Sequence, residues 1–186
     1  MAGDPTKASI WANADVYFAV TGTAAPTDTF TAPAVAWKAI GLLDGDEGFT
    51  ESRDEDTSDH YAWGGILVAQ TRSKHKRTLK FVALEDNDNV FSLVNPGSTR
   101  AAADVNGVVK DTVMVPVRSE FAFLFETRDG DKVKRRSVKR GEITEVGEIK
   151  DGEADLTVYE LTLTIYPEAD GELYETLTGP ATDPTP

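Results

Sequence analysis

The chain has no cysteine, which excludes a disulfide framework and thiolate chemistry and fits synthesis in a cytosol. Histidine is nearly absent: His60 and His75 are the two present, and neither sits in a metal-ligand or nucleophile spacing. No glycine-rich phosphate loop and no G-x-S-x-G elbow occurs. No apolar run is long enough to span a bilayer, so membrane insertion is not expected. The opening residues MAGDPTKASIWANADV lack a basic start followed by an apolar stretch, so no secretion signal is expected. Bases are scarce beside acids, with 19 Lys and Arg against 32 Asp and Glu and a net charge of −13. That balance excludes DNA binding by phosphate neutralisation. Acids are so abundant that paired carboxylates decide nothing about hydrolysis. The expectation is a protein with no catalytic residues, no cofactor and no metal.

What is present is strand. The chain has 186 residues, of which 40% are apolar, enough for one domain with a buried core. Asp15 to Val20 is β-branched and aromatic and reads as a strand. Trp37 to Leu43 reads as another, followed by Ile66 to Thr71 and Lys76 to Leu84, where Leu79, Phe81 and Ala83 share a face. Phe121, Phe123 and Phe125 alternate in Glu120 to Arg128. Asp129-Gly130-Asp131 then turns the chain into Lys132 to Arg140, giving a hairpin. In Ala154 to Tyr166, Tyr159, Leu161, Leu163 and Ile165 share a face opposite Glu160, Thr162 and Thr164. A brief strand is expected over Thr112 to Val117, with Pro116 at an edge. Residues 86–94 read as one short helix with Val90, Phe91 and Val94 inward. The fold class is therefore mainly β, a β-sandwich or barrel-like subunit with one short α-helix. Its expected divisions are an N-terminal arm (1–13), a β domain (14–170) and a flexible Pro/Thr-rich tail (171–186).

Charge is segregated along the chain. Between Asp44 and Asp59 stand eight acids (Asp44, Asp46, Glu47, Glu51, Asp54, Glu55, Asp56, Asp59) and one base, Arg53. Between Arg72 and Lys80 stand five bases (Arg72, Lys74, Lys76, Arg77, Lys80) and no acid. Residues 44–63 read as a long loop that also carries Phe49, His60, Tyr61 and Trp63. Such a loop inside a compact domain is usually functional or disordered. An acidic arm beside a basic strand suits self-assembly, one copy's arm pairing with the next copy's strand. Lys132, Lys134, Arg135, Arg136, Lys139 and Arg140 form a second basic set, expected to meet the 44–59 arm or residues 142–155. Charge reversal at Arg135 and Arg136 is expected to disrupt assembly. The Asp44-Gly-Asp46-Glu47, Asp86-Asn-Asp88-Asn89 and Asp129-Gly-Asp131 clusters read as turns, since none completes a calcium loop.

Two stretches carry a resemblance. Gly41-Leu-Leu-Asp-Gly-Asp-Glu-Gly-Phe-Thr-Glu-Ser-Arg-Asp54, continued by Asp59-His-Tyr-Ala-Trp-Gly-Gly65, resembles major tail tube proteins of long, non-contractile-tailed (siphovirus-type) phages of actinobacteria. Thr78 to Asn87, Gly141 to Gly147 and Tyr159 to Pro167 agree more weakly. The resemblance implies β-sandwich subunits in hexameric rings whose inner strands close one β-barrel. The rings stack into a tube that conducts double-stranded DNA without specific binding. It implies residues 44–63 as the arm that reaches an adjacent ring, and partnership with the tape measure, terminator and baseplate or distal tail proteins. Assembly in the host cytoplasm and residence in the virion follow. Negative charge suits a lumen in which DNA slides, and Glu160, Thr162 and Thr164 are the lumen-facing candidates. The alternatives are a single-ring tail terminator or tube initiator, or an acidic calcium-dependent binding module.

Overall fold

In the computed structural model, which describes residues 3, 4 and 7–182, ten strands and one helix are arranged around a single aromatic-rich core. The strands are β1 (Asn13–Val20), β2 (Lys38–Ala39), β3 (Thr50–Tyr61), β4 (Leu67–Ala83), β5 (Thr99–Arg100), β6 (Asp111–Thr112), β7 (Phe121–Asp129), β8 (Lys132–Val146), β9 (Tyr159–Ile165) and β10 (Glu175–Pro180). The helix α1 spans Asp88–Val94. The main sheet is antiparallel and runs β2-β1-β7-β8-β9-β4-β3, with β10 paired to β8. β5 and β6 pair separately.

The sheet coils because β8 changes partner along its length. Its first half lies between β7 and β10, and its second half, from Gly141, pairs with β9. Register shifts at Phe121/Phe123 and at Ile143/Glu145 mark the bends, as bulges do wherever a strand must curve. Residues 38–44 then join the two ends of the coil. The Ile40 amide donates to Val16 of β1, while Leu43 bridges Ala83 of β4 and the Asp44 amide donates to Val82. Trp37 to Leu43 is therefore a strap between sheet ends, with two residues of true strand, rather than the strand its composition predicts.

The core face follows the period of two: Phe18, Leu79, Phe81, Phe123, Phe125, Leu161, Leu163 and Ile165 are all buried together. Phe125 packs edge-on against Phe49 and Phe81, with ring centres 5.2 and 5.6 Å apart. The opposite face of β1 and β7 is covered too, by Trp37 on Ala19, Ala122 and Leu124. Trp37 is fixed there by its Nε1–H, which donates to the Ala24 carbonyl. α1 begins at Asn87, whose side chain accepts the amides of Asn89 and Val90, and buries Val90, Phe91 and Leu93 against the core. Val94 packs against the core as expected, half-buried, and Leu93 is buried beside it.

The 44–63 loop is corrected. Its residues 50–61 are β3, paired with β4 from Thr50↔Lys80 to Tyr61↔Leu67, and the two strands expected within Ile66 to Leu84 are one, Leu67–Ala83. The tail differs as well, since β10 pairs with β8 through Glu175↔Ser137 to Pro180↔Lys132. Residues 183–186 of that tail, and 1, 2, 5 and 6 of the N-terminal arm, lie outside the described residues. Thr112 to Val117 contributes only its first residue to a strand, β6.

Candidate assembly interface

From about Arg53 and Arg77 outward, the β3–β4 hairpin leaves the body and exposes both faces. Ten residues of strand at 3.3 Å each carry its tip about 30 Å out. The turn is made by Trp63, Gly64 and Gly65. Both glycines have positive φ (93° and 80°), which explains the pair: a side chain at either would be strained. Midway, Lys74 adopts φ 53° where the register shifts between Asp54 and Asp56, so the hairpin carries a bulge.

The acids and bases of the two strands face one another inside a single chain. Glu55 is the hub: it pairs with Arg53, with His75 at 2.8 Å and with Arg72 at 3.8 Å. The Arg53 guanidinium, then His75, hold its carboxyl below the usual glutamate range. Lys74 meets Asp56 at 2.7 Å, and Asp59 accepts from Gln70 and the Tyr61 hydroxyl. His60 shares a hydrogen bond with Thr71. Lys76 has no ion pair among the described residues. The charge segregation in the sequence thus reports strand pairing within the hairpin.

At the hairpin's base, Glu51 binds Arg77 at 3.1 Å, Arg136 at 3.2 Å and the Tyr174 hydroxyl at 2.9 Å. Both guanidiniums also lie over the Tyr174 ring, 5.7 and 5.1 Å from its centre. This knot ties the hairpin to β8 and to the segment before β10. Phe49 belongs to the core through Phe125 and not to an exposed arm. Asp44 accepts the amides of Asp46 and Glu47 as a turn, while Asp46, Glu47 and Asp54 are exposed. A groove of about 680 Å³ opens nearby between β1, Phe49, Glu51, Lys134 and Arg136.

The second basic set is mostly occupied within the chain. Arg136 meets the expected acidic segment, at Glu51. Arg135 is 3% exposed and pairs with Glu126, itself 1% exposed, and with Asp28, leaving it no free edge to offer another subunit. Lys139 binds Glu172 at 2.7 Å and Arg140 binds Glu120 at 2.9 Å. Lys132 donates to Ser9 and lies over Trp11. Lys132 and Lys134 are the two of this set with no ion pair among the described residues, and Lys132 is held instead by Ser9 and Trp11. Of the lumen candidates, Glu160 pairs with Lys80 and Thr162 is half-buried. Thr164 is corrected to an interior position, buried with its hydroxyl on Thr144 at 2.8 Å, because β8 curls over that end of β9.

What remains unpartnered is the hairpin tip. Trp63 is fully exposed, and Tyr61, Ile66, Leu67 and Val68 each expose more than half their surface. Residues 60–71 hold no Asp, Glu, Lys or Arg. Nothing in the sequence distinguished Trp63 as a contact from Trp63 as a local anchor; its lack of any packing does. Among the described residues no group of three or more His, Asp or Glu is placed to hold a metal ion, and no helix is long and apolar enough to cross a membrane.

A family model described as phage tail tube protein matches residues 1–184. No curated protein matched the chain. Similar solved structures include a chain from the sheath/tube terminator of an extracellular contractile injection system, 11% identical, covering 87% of this chain and 92% of that one with a TM-score of 0.41. A chain of the anti-feeding prophage baseplate is 8% identical over 97% and 99%, TM-score 0.39. A type six secretion system protein is 13% identical over 89% and 92%, TM-score 0.33. A mainly β subunit with a projecting hairpin, matched almost end to end, thus belongs to the phage tail tube protein family, a structural component of the virion and not an enzyme.

Proposed function

We propose that copies of this subunit form hexameric rings, and that the rings stack into the tail tube of a long, non-contractile-tailed phage of actinobacteria. The observation that carries this reading is the β3–β4 hairpin. It holds an uncharged, aromatic tip about 30 Å from the body, at the end of a stem whose charges are largely paired, Asp54 and Lys76 apart. An exposed apolar patch of this kind marks an interaction site. A patch unlike the surface it meets builds an open assembly rather than a closed dimer. The wording of residues 41–65 supports the siphovirus-type reading and the actinobacterial host.

Within this reading residues 44–63 are the inter-ring arm, with Tyr61 and Trp63 as its contact end. Exposed Lys76 and half-buried Lys134, which have no ion pair among the described residues, are the first intersubunit partners, and exposed Arg72 and Lys74 would exchange their pairs within the hairpin for ones between copies. Glu160 and Thr162 face the lumen. The outer edge of β3 pairs with a neighbouring subunit, which removes the edge. Double-stranded DNA passes along an acidic lumen without specific binding during genome ejection. Tape measure, terminator and distal or baseplate proteins are the other tail partners.

Negative-stain electron microscopy of concentrated purified protein, with light scattering alongside, tests the reading. Hollow tubes of uniform diameter are expected. Single rings that never stack would replace it with a terminator or initiator. Monomers that remain monomers on added tail-tip complexes would overturn it.

A further inference from the structure

We propose that the apolar loop of residues 101–117 is the seat for the β3–β4 tip of a second copy of this chain; the inference rests on the tube reading above. Composition reads residues 99–111 as small, polar loop and Thr112 to Val117 as a brief strand. The segment's surface is otherwise. Of twenty exposed large apolar side chains among the described residues, seven lie within 105–117 and five within 61–68. Val105 is 100% exposed and Val115 85%, and Val108, Val113, Met114 and Val117 each expose more than half.

The loop is built to hold those side chains out. Arg100 binds both carboxylate oxygens of Asp111, at 2.9 and 2.8 Å, and Asp86 at 2.8 Å. Its guanidinium also lies 4.5 Å from the Phe91 ring centre, so the root of the loop is pinned to α1. The Asp104 carboxylate accepts the amides of Asn106 and Val108, which keeps the carboxylate turned into its own turn. The Met114 amide donates to Ser98 and the Val117 amide to Pro96. A loop so tied does not collapse onto the body to hide its valines.

Three arguments select the occupant. Trp63 and Val105 are both fully exposed on one subunit, so neither patch covers the other within the chain. An open polymer needs two unlike patches, because a patch that met itself would close a two-fold dimer. Second, residues 60–71 and 112–117 contain no Asp, Glu, Lys or Arg. In a chain of net charge −13, these are surfaces that two copies can bring together without like-charge repulsion. Third, the areas match. Two aromatics bury about 150–250 Å² each; with three aliphatics they supply much of the roughly 800 Å² that one partner gives a stable interface.

The absence of cysteine gives a clean test. Chains carrying Ala62→Cys and Val115→Cys are mixed, assembled and treated with a short bismaleimide. A cross-linked dimer from the mixture, and from neither chain alone, is expected. In parallel, Val113→Asp with Val115→Asp should raise the concentration needed for polymerisation by about tenfold or more while leaving the melting temperature unchanged, since both residues are exposed. If the unsubstituted chain forms tubes but the mixture does not cross-link and the double variant polymerises normally, this seat is wrong and the tube reading stands. Cross-linking of Ala62→Cys with itself would put tip against tip and also overturn the seat. If the unsubstituted chain never forms rings or tubes, both readings fall together.

Discussion

Glu126 and Arg135 are the residues at which a structural and an assembly role part most clearly. Both lie on the face of β7 and β8 away from the aromatic core, directly opposite one another, beneath the loop that carries Asp28 and Trp37. Arg128 adds a second cation to Glu126 and a 2.9 Å contact to Asp15. Removing one partner from a buried pair strands the other, at a cost of about 3–5 kcal/mol. Glu126→Gln is therefore expected to lower stability by that order in urea unfolding, with little left of any assembly phenotype to interpret. The same argument redirects the charge reversal suggested by sequence: Arg135→Glu tests folding, while Arg72 and Lys76, which are exposed, test assembly. Lys74 is the opposite case. A lysine at φ 53° is strained where glycine is not, and its exposed bridge to Asp56 is worth little. Lys74→Gly is expected to stabilise the chain, by up to about 1 kcal/mol, seen as a higher urea midpoint with an unchanged slope. A lower midpoint would mean that the bulge needs the lysine contact.

At the scale of elements, legibility followed burial. β1, β7, β8 and β9 were readable because one face of each meets the core, so Phe121, Phe123, Phe125 and Leu161, Leu163, Ile165 alternate with polar residues. β3 was not. Thr-Glu-Ser-Arg-Asp-Glu-Asp-Thr-Ser-Asp-His-Tyr has both faces in water, so no period of two is imposed; it is a strand because β4 templates it. β10 ends in Gly-Pro, and its pairing with β8 is long-range. The interface is partly legible for the same reason: the charges of the arm were visible, but that they satisfy one another required the register. The strap of residues 38–44 is not legible either, since a few bridging contacts leave no period in the sequence. Glu85 holds it, accepting the Leu42 amide at 2.7 Å and the Asn87 side chain at 3.1 Å. The Leu42 amide, followed by Asn87, holds the Glu85 carboxyl below its ordinary value of 4.5. A depressed carboxyl stabilises the fold above the unfolded value and loses that contribution as pH falls through the folded one. Acid stability should therefore decline below about pH 4.5, and the decline should be shallower in Glu85→Gln, measured by urea unfolding at a series of pH values. Equal slopes would remove Glu85 from the strap.

For the molecule as a whole, the sign of the salt effect separates two modes of assembly. If copies are held by acidic arms on basic strands, ions screen the attraction, and tubes dissolve as salt rises. The structure already pairs four of the five bases of the basic strand within one subunit, and three of the arm's eight acids: Glu55 with Arg53, Arg72 and His75, Asp56 with Lys74, Glu51 with Arg77 and Arg136, while Lys80 meets Glu160. What remains between copies is a net charge of −13 on each and two uncharged apolar surfaces. Screening then removes repulsion and leaves the apolar contact intact, since hydrophobic burial is not weakened by simple salts at these concentrations. The Debye length falls from about 30 Å at 0.01 M to about 8 Å at 0.15 M, so the change should be concentrated in that range. Pelleting across it should show the concentration required for polymerisation falling as salt is added, and light scattering should show faster growth. A rise instead would return the arm's acids, Asp46, Glu47 and Asp54 first, to the role of intersubunit ion-pair partners, and would make Lys76 and Lys134 the bases to reverse next.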